Sequence, residues 1–428
     1  MGSGPSGVYT AEALLKARPE AVLVDIYDRL PAPYGLVRYG VAPDHLKIKS
    51  VSRALQKTFE HPAVRFFGDV DVGVRPTVDE LRAAYDVVVY AFGAAQDRRL
   101  GVPGEDLHGS FSAVEFVAWY SGHPDAEIDR YTLDAESVVV VGAGNVAIDV
   151  ARILAKPVEA LRPFDIPDQV LDVLAASKVT DVHLVARRGP AQAKFTTKEL
   201  REMGEIDGCE VVLDPDVMDL DEASAAEAAA HKEIARNVEV MREFSSRTST
   251  GAGRRLHFHF WASPTEILGG ERVEAVRCAR TSLSETGSAV PTGESYEIPA
   301  QMVLRSVGYR GAAIPGVPLD ERAGVIPNDG GRVLRDGAVS PGEYAVGWIK
   351  RGPTGVIGTN RSDAADTVAA ILEDWADGSK TPSLSLPAVS WEGWLAIDAA
   401  EAAAGAAQGR DRVKLARWEE LRAAAADR

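Results

Sequence analysis

The stretch that decides the fold is VVVVGAGNVAIDVAR, Val138 to Arg152. Its opening run of valines predicts a buried parallel strand, and Gly142 and Gly144 allow the tight turn and close backbone approach that a dinucleotide pyrophosphate requires. Ala147 takes the third position of the fingerprint, where a small residue lets helix and strand pack closely. A helix beginning at Asn145 would direct its N-terminal amides at the phosphates. The stretch therefore predicts a dinucleotide-binding unit.

Another glycine fingerprint, GSGPSG, opens the chain at Gly2. We call it the first fingerprint and the one at Gly142 the second. Two dinucleotide sites in one chain suit the transfer of electrons between two nucleotides. Such a fold needs an apolar strand of about five residues before its first glycine, but only Met1 precedes Gly2. We therefore expect the first strand of this unit to be missing. One explanation is a GTG valine codon that was taken as the start, in keeping with an Ala/Gly/Arg-rich composition; the other is a truncation. Sequencing the amino terminus of the native protein distinguishes the two explanations. Finding Met1 as the true first residue would contradict the misread GTG start.

The composition excludes several classes of protein. The chain has 428 residues, of which 46% are hydrophobic, as expected for a soluble globular protein of about two or three domains. Its net charge of −16 argues against nucleic acid as a partner, because phosphate contacts require a basic face. No apolar run approaches the roughly 20 residues that span a bilayer, and we expect a cytoplasmic protein. Cys209 and Cys278 are the only cysteines and form no CxxC pair, so no disulfide framework, thiol redox centre or metal site is expected.

Strands and helices alternate along the rest of the chain, which predicts an α/β fold with parallel sheets. After the helical AEALLKAR, the strand AVLVDIYDRL ends at Asp28, where an acid would hold a ribose, with Asp25 as the competitor and a solvated strand end as the alternative. The Pro- and Gly-rich LPAPYGLVRYGVAPDHLKIKS predicts a loop, Val51 to Glu60 a helix, and DVVVYAF another buried strand.

The strand after the second fingerprint, DVHLVA, ends in Arg187 and Arg188 rather than in an acid. Guanidinium groups at this position favour a 2′-phosphate over a free ribose diol. The pair therefore predicts NADPH rather than NADH as the nucleotide. The alternative is a solvated strand end with no ligand.

Several long motifs together resemble those of the adrenodoxin-reductase type of NADPH–ferredoxin reductases, including the actinobacterial members. The similarity extends over nearly the whole chain. The motifs that carry it are GSGPSG, LPAPYGLVRYGVAPDHLKIKS, GAGNVAIDVARIL, ARRGPAQAKFTTKELRE, RSVGYRG, GWIKRGPTGVIGTN and the closing VSWEGWLAIDAAEAAAGAAQGRDRVKL.

The resemblance implies two Rossmann-like domains, with an NADP domain inserted into an FAD domain that both chain ends form. The implied bounds are residues 1–102 and 308–428 for the FAD domain and 103–307 for the NADP domain. It also implies a flavoprotein oxidoreductase, a ferredoxin–NADP(+) reductase, that moves a hydride from NADPH to FAD and single electrons to a ferredoxin-type iron–sulfur protein. The final acceptor, a cytochrome P450 or a biosynthetic enzyme, stays open.

The resemblance assigns residues to both cofactors. Two of these residues have an alternative role: Glu199 could belong to an exposed helical face in KELREM, and Trp348 could be a core residue. Asp28 stands where the family usually has Glu, and its shorter side chain puts a direct contact with the ribose in doubt. The turn in GWIKRGPTGVIGTN would precede a helix starting near Ser362 and offer amides to the reduced flavin. The implied NADP contacts are Arg98, Ala143, Gly144, Asn145, Val146 and Glu199, and the implied FAD contacts are Ser6, Asp28, Leu36, Val72, Trp348, Gly355, Val356 and Ile357.

His45 and Glu202 are the candidates for a catalytic role. A histidine in a Pro-rich loop beside a flavin could relay protons or orient a partner, because its ordinary pKa lies near neutrality. The family places this histidine close to the flavin, and the resemblance pairs it with Glu202. The alternative for His45 is a hydrogen-bonded loop histidine without a chemical role.

The segment from Arg29 to Lys57 is basic in an otherwise acidic protein, since Asp44 is its only acidic residue. Ferredoxins are acidic, so this segment is the favoured docking face. A second basic group lies on a predicted helix but is mixed with Glu233, Glu239 and Glu243. The basic residues are Arg29, Arg38, Lys47, Lys49, Arg53 and Lys57 in the first group and Lys232, Arg236, Arg242 and Arg247 in the second.

Other functions stay open at this point. A flavin disulfide reductase needs a redox cysteine pair, and a glutamate-synthase electron-entry subunit usually has a cysteine-rich segment; the chain has neither. A non-catalytic remnant that has lost FAD with its first strand is a third alternative. A visible spectrum of the purified protein distinguishes an enzyme from a remnant, since only the enzyme carries stoichiometric flavin.

Overall fold

The computed structural model describes residues 1–375, 378, 380 and 384–426. Packing divides the chain into two units, each with its own core. Unit 1 comprises residues 1–96, 121–125 and 308–428, and unit 2 comprises residues 97–120 and 126–307.

The described elements alternate between strand and helix over most of the chain. The α-helices are α1 (Pro5–Ala17), α2 (Leu36–Tyr39), α3 (Leu46–Lys49), α4 (Val51–Phe59), α5 (Val78–Ala84), α6 (Ala113–Tyr120), α7 (Asn145–Ala155), α8 (Val158–Leu161), α9 (Asp168–Ala175), α10 (Thr197–Met203), α11 (Glu222–Ala230), α12 (Lys232–Ser245), α13 (Trp348–Arg351), α14 (Thr359–Asp374), α15 (Trp391–Ala407) and α16 (Trp418–Ala426). The strands are β1 (Val24–Tyr27), β2 (Val64–Phe67), β3 (Val88–Tyr90), β4 (Gln96–Asp97), β5 (Ser110–Ser112), β6 (Ser137–Val141), β7 (Asp181–Val185), β8 (Cys209–Leu213), β9 (Arg254–His259), β10 (Ala262–Leu268), β11 (Ala275–Leu283), β12 (Ala289–Pro299), β13 (Met302–Arg305), β14 (Tyr309–Arg310), β15 (Asn328–Asp329), β16 (Arg332–Arg335) and β17 (Ala338–Ala345).

Unit 2 is built on a parallel sheet with the strand order β5-β13-β6-β7-β9-β8. Its central strand β6 is the predicted run of valines and is buried. Helices pack on one face, over a core that includes Val182, Leu184 and Leu256. The antiparallel sheet β10-β11-β12 contributes to a second core with Val139 and Val185 from the opposite face of the strands. The carboxyl ends of β6 and β7 thus carry the second fingerprint and Arg187 to one edge of this sheet.

Unit 1 contains a parallel pair, β1-β2, and a sheet of order β15-β16-β17-β3 in which β17 and β3 are parallel. Residues 1–4, before α1, form no strand. The backbone of the first residues connects β1 with β3 instead: the Met1 amine donates to the Val89 carbonyl at 3.0 Å, and the amide of Gly2 donates to the Tyr27 carbonyl at 2.7 Å. Met1 and Gly2 therefore link β1 and β3 through backbone hydrogen bonds.

The units divide the chain differently from the expected bounds. Residues 97–102 lie in unit 2, where Arg305 pairs with Asp97 at 3.4 Å. Residues 121–125 lie in unit 1, because Lys414 donates to the Ser121 carbonyl at 2.9 Å and Asp125 pairs with Arg29. These partners are distant in sequence, so local patterning did not indicate them.

Two local predictions were wrong. The Pro-rich stretch after Asp28 was predicted as a loop, but it contains the short helices α2 and α3. The helix expected near Ser362 begins earlier, at Thr359. Glycines flank α2 on both sides, so glycine content alone did not distinguish short helices from a loop. None of the helices within the described ranges is long and apolar enough to cross a membrane.

Helix α5 begins with a complete capping box. The Thr77 side chain accepts from the Glu80 amide at 3.2 Å, and the Glu80 carboxylate accepts from the Thr77 amide at 2.7 Å. We expect Thr77→Ala to lower the free energy of unfolding by about 1 kcal/mol, because a helix amide loses its partner. Chemical denaturation measures this change. Glu80→Gln is the control, since glutamine can still accept from Thr77; an equal loss in both variants would contradict the capping role.

Candidate dinucleotide sites

The first glycine of each fingerprint occupies a position that only glycine fits. Gly2 has φ 103°, and a Cβ there would lie 2.4 Å from the Ala91 carbonyl oxygen. Gly142 has φ 151°, and a Cβ there would lie 2.4 Å from the Ser306 carbonyl oxygen. In both units the backbone turns tightly from the start of the fingerprint toward a helix, the geometry that the sequence predicted.

The second glycine of each fingerprint faces space. Nothing lies within 4 Å of a Cβ built on Gly144, and the nearest atom to one built on Gly4 is 3.9 Å away. Helices α1 and α7 start at these glycines without a side-chain cap and without an acid in the first turn. Other helices, such as α4 and α14, also begin without a side-chain cap, but only α1 and α7 begin at the second glycine of a fingerprint. The uncapped amides of α1 and α7 can therefore bind an anion.

The loop after the second fingerprint is fastened to the segment that leads to Glu199. The Ala143 carbonyl accepts from the Lys194 amide at 2.9 Å, and the Asn145 side chain accepts from the Thr196 amide at 3.1 Å. Thr196 caps α10 together with Glu199, whose carboxylate accepts from the Thr196 hydroxyl at 2.9 Å. Glu199 is buried, so the alternative of an exposed helical face is wrong for this residue. In the structure Glu199 takes part in the N-terminal cap of α10, beside the second fingerprint.

Arg187 and Arg188 follow β7 at the same edge of the sheet. Arg187 is exposed and Arg188 half-buried. Their backbone carbonyls accept from the Thr281 hydroxyl and the Trp261 amide, at 2.8 Å and 3.3 Å. Neither guanidinium pairs with another side chain within the part of the chain that the structure describes. Hydrogen bonds thus hold the backbone of Arg187 and Arg188, while both guanidinium groups are available to bind an anionic ligand.

Three other candidates in unit 2 have different surroundings. Val146 is half-buried in the first turn of α7, and Arg98 is exposed after β4. Glu202 lies 3.2 Å from Lys198 and 3.8 Å from the buried Arg152 of α7. The pair with Lys198 lies within α10, and the pair with Arg152 connects α10 with α7. The structure therefore gives Glu202 a structural role, and its pairing with His45 stays a prediction.

Asp28 lies at the end of β1, as predicted, but its carboxylate already has partners. One oxygen accepts from the Ser3 amide at 2.8 Å and from the Ser3 hydroxyl. The other accepts from the Leu30 amide at 2.9 Å. The competing acid, Asp25, pairs instead with Arg65 at 2.7 Å. Asp28 therefore fixes the backbone of the first fingerprint by accepting from Ser3. An aspartate, which is shorter than the family's usual glutamate, is long enough for this contact.

Three predicted FAD contacts converge on the start of α1. Ser6 lies in its first turn, and a Cβ on Gly347, the residue before Trp348, would lie 2.1 Å from the Ser6 hydroxyl oxygen. A Cβ on Gly35, the residue before Leu36, would lie 3.1 Å from the Gly4 Cα. The loops before α2 and α13 thus approach the first fingerprint closely. Trp348 is half-buried, with its ring 5.5 Å from that of Tyr309.

The remaining candidates lie less directly at that turn. Val72 is buried in a core with Tyr27 and Val70, and the Val70 amide donates to the Asp28 carbonyl at 3.0 Å. Gly355, Val356 and Ile357 precede α14, and the Val356 side chain is 66% exposed. The turn keeps its shape through the Thr359 hydroxyl, which accepts from the Val356 amide at 3.2 Å.

His45 lies at the amino end of α3 and is buried, with 6% of its surface exposed. Its carbonyl accepts from the amides of Ile48 and Lys49, both at 3.0 Å. The residue therefore helps to start this short helix. Its proton-relay role stays a prediction.

The basic segment is not uniformly available to a partner. Arg38 is buried and forms a two-armed ion pair with the buried Glu401, and Arg29 pairs with Asp125. Arg38 is too buried to contact a partner, which contradicts its inclusion in the docking face, whereas Arg29 is exposed with its charge opposed by Asp125. The members that stay exposed without an ion pair in the described chain are Lys47, Arg53 and Lys57.

Several residues of these sites were not singled out from the sequence. Ser3 binds Asp28, Asn360 accepts from Ser6 at 3.1 Å, and Asp363 accepts from the Gly347 amide. Ser3 lies inside the fingerprint GSGPSG, and a polar side chain within a glycine turn could have indicated a hydrogen bond to a neighbouring acid. Asn360 and Asp363 belong to a helix that meets α1 only in the folded chain.

The two cysteines are free. Cys278 is buried and Cys209 half-buried, and burial raises the pKa of Cys209 to about 11 and that of Cys278 to about 12. Both thiols are therefore protonated near neutral pH and are poor nucleophiles.

Comparison with known proteins agrees with this geometry. The family model of the pyridine nucleotide-disulphide oxidoreductases matches residues 1–221. The NADPH-ferredoxin reductase FprA of Mycobacterium tuberculosis is 46% identical, over 98% of this chain and 97% of its own length. The human mitochondrial NADPH:adrenodoxin oxidoreductase is 41% identical, over 98% and 90%. The solved structure of M. tuberculosis FprA in complex with NADPH superposes with a TM-score of 0.93 and covers 99% of this chain and 98% of its own. The chain therefore belongs to the pyridine nucleotide-disulphide oxidoreductases, and within them to the adrenodoxin-reductase type of NADPH–ferredoxin reductases.

Proposed function

We propose that this protein is a flavoprotein oxidoreductase that binds FAD in unit 1 and NADP(H) in unit 2. It takes electrons from NADPH and passes them singly to a ferredoxin-type iron–sulfur protein. The observation that carries the proposal is the pair of glycine turns, each of which ends in a helix without a side-chain cap. Relatives that are named NADPH-ferredoxin reductase and NADPH:adrenodoxin oxidoreductase support the same activity.

The residues in unit 2 fit a phosphorylated adenine dinucleotide. The pyrophosphate would lie over Gly144, where a Cβ meets nothing within 4 Å, and accept from the first amides of α7. Arg187 and Arg188 would bind the 2′-phosphate with charge-assisted hydrogen bonds. Their lack of a protein partner means that no ion pair has to break before the phosphate binds.

The residues in unit 1 fit a second dinucleotide. The first amides of α1 would hold the FAD pyrophosphate, and Ser3 keeps Asp28 beside the turn. When bound, FAD supplies the conversion from a two-electron hydride donor to one-electron transfer. Thr359 fixes the turn before α14 by accepting from the Val356 amide, and the other backbone amides of this turn would face the flavin. Neither cysteine takes part, because both thiols are buried or half-buried and protonated.

The docking surface for the iron–sulfur partner is the exposed part of α3 and α4. Arg53 and Lys57 are four residues apart on α4 and so project from the same side of that helix. Lys47 lies on the adjoining α3, flanked by Leu46 and Ile48, which are 50% and 36% exposed. We call these five residues the basic face. Positive charge beside exposed apolar side chains suits an acidic ferredoxin, which is attracted at long range and then packs at close range.

Flavin content and reduction kinetics test the proposed activity. We expect the purified protein to carry about one FAD per chain, to be reduced by NADPH in stopped flow, and then to reduce an acidic ferredoxin. A chain without flavin would support the alternative of a non-catalytic remnant. Flavin reduction without ferredoxin reduction, across a panel of acidic ferredoxins, would instead support an electron-entry subunit of another flavoenzyme. A cytochrome P450 as the final acceptor and a cytoplasmic location stay predictions.

A further inference from the structure

A group of histidines on β7 and β9 has no role in the proposed reaction. The two strands are parallel neighbours, with Asp181 opposite Arg255 and His183 opposite His257. Because side chains alternate along a strand, Asp181, His183, His257 and His259 project from the same face of the sheet. This is the face opposite the helices, on the side of the antiparallel sheet, where the His259 ring lies 6.2 Å from that of Tyr296.

We propose that Asp181, His183 and His257 form a binding site for a divalent transition metal ion of the Zn²⁺ class. One ligand atom from each of the three lies within 4.8 Å of those of the other two. They are the one group of three or more such side chains at this spacing among the residues that the structure describes. Imidazole nitrogens and a carboxylate oxygen are the donors that Zn²⁺ prefers, and three protein ligands leave a position for water.

Hydrogen bonds around the group favour the metal-binding form of each ligand. His183 Nδ1 and His259 Nε2 are 2.9 Å apart. If His183 donates in this bond, its Nε2 keeps a free lone pair, which is the usual arrangement for a histidine ligand whose other nitrogen is held by a second residue.

Asp181 can bind a metal without losing its outer contacts. Its Oδ2 accepts from Arg255 at 2.7 Å and from the Thr180 hydroxyl at 2.9 Å, while Oδ1 contacts His257 Nε2 at 2.7 Å. A metal would take the place of the His257 contact at Oδ1, and His257 would bind it through Nε2 in the tautomer that carries its proton on Nδ1.

The site is accessible and separate from the glycine fingerprint. The side chains of His257 and Asp181 are 20% and 16% exposed, so hydrated ions can reach them. Asp181 stands at the amino end of β7, whereas Arg187 follows its carboxyl end. The metal would join β7 to β9 below the edge that carries the nucleotide-binding residues. It would therefore stabilise unit 2 without occupying the dinucleotide site.

The test is Zn²⁺ titration of the flavin-loaded full chain, produced without a histidine tag, by isothermal calorimetry. We expect one saturable site per chain, with binding at least tenfold weaker in both Asp181→Asn and His257→Asn. His231→Asn, which removes an exposed histidine between α11 and α12, is the matched control and should bind as the unaltered chain does. Zn²⁺ should also raise the thermal unfolding midpoint of the unaltered chain and of the control, but not of the two variants.

X-ray absorption of the Zn²⁺-loaded unaltered chain supplies a readout that does not depend on how the variants fold. We expect scattering from two imidazole rings and from oxygen. Absence of saturable binding, equal affinity in the two variants and the unaltered chain, or a zinc shell without imidazole would each overturn the proposal.

Discussion

Replacing Arg187 and Arg188 together with alanine is expected to lower kcat/KM for NADPH by about a hundredfold or more and to leave that for NADH nearly unchanged. A charge-assisted hydrogen bond contributes about 1.5–3 kcal/mol. Two such bonds to one phosphate correspond to at least about 3 kcal/mol, which is a factor of about 10². The 2′-phosphate is the only part of the nucleotide that NADPH has and NADH lacks, so the loss should fall on NADPH alone. Steady-state kinetics with both nucleotides and a small neutral acceptor measures the difference.

The structure makes this an unusually clean double substitution. Neither guanidinium has a side-chain partner within the described residues, so their removal leaves no buried acid unpaired. Arg236→Ala combined with Arg272→Ala, which removes two other exposed arginines of unit 2, is the control for the change in net charge. Equal losses with NADPH and NADH in the double variant would show that the two arginines stabilise the fold or bind the pyrophosphate, and the 2′-phosphate role would be wrong.

The parts of these sites that were predicted from sequence are those that short-range patterns determine. The strand β6, the start of α7 at Asn145 and the position of Arg187 after β7 all follow from a run of alternating or continuous apolar residues next to a glycine turn. Asp28 was found for the same reason, as the first acid beyond a predicted strand. Such features need only the period of the hydrophobic residues and the φ values that glycine permits.

The parts that were missed depend on residues far apart in the chain. Arg38 was counted as a surface charge because Glu401, its buried partner, lies 363 positions away. His183 and His259 meet across 76 positions, on strands whose register the sequence does not specify. The helical turns in the Pro-rich segment are another case, since tertiary packing there overrides a composition typical of loops. The sequence pattern therefore located the two dinucleotide turns. Which charged side chains stay unpaired could be seen only in the folded structure, because their ion-pair partners are distant in sequence.

This correction sharpens the docking prediction. Reversing Lys47 and Lys57 together to glutamate should slow ferredoxin reduction at least about tenfold at low ionic strength, while flavin reduction by NADPH stays nearly unchanged. Steered association exceeds unsteered association by about 10- to 10³-fold, and exposed charges are screened over about 8 Å at physiological salt. The rate of the unaltered protein should therefore fall steeply with added salt, and that of the variant should not. Stopped-flow kinetics over a range of salt concentrations measures both.

The second basic group supplies the matched control. Lys232 and Arg236 lie on α12, and both are exposed without an ion pair in the described chain, as Lys47 and Lys57 are. Reversing them changes the net charge by the same amount as the first double variant, so a non-specific effect of charge would slow both proteins equally. A loss confined to the Lys47 and Lys57 variant would place the ferredoxin on the basic face. A loss confined to the Lys232 and Arg236 variant would place it on α12, and the lysines of α3 and α4 would then serve only to solvate the surface of unit 1.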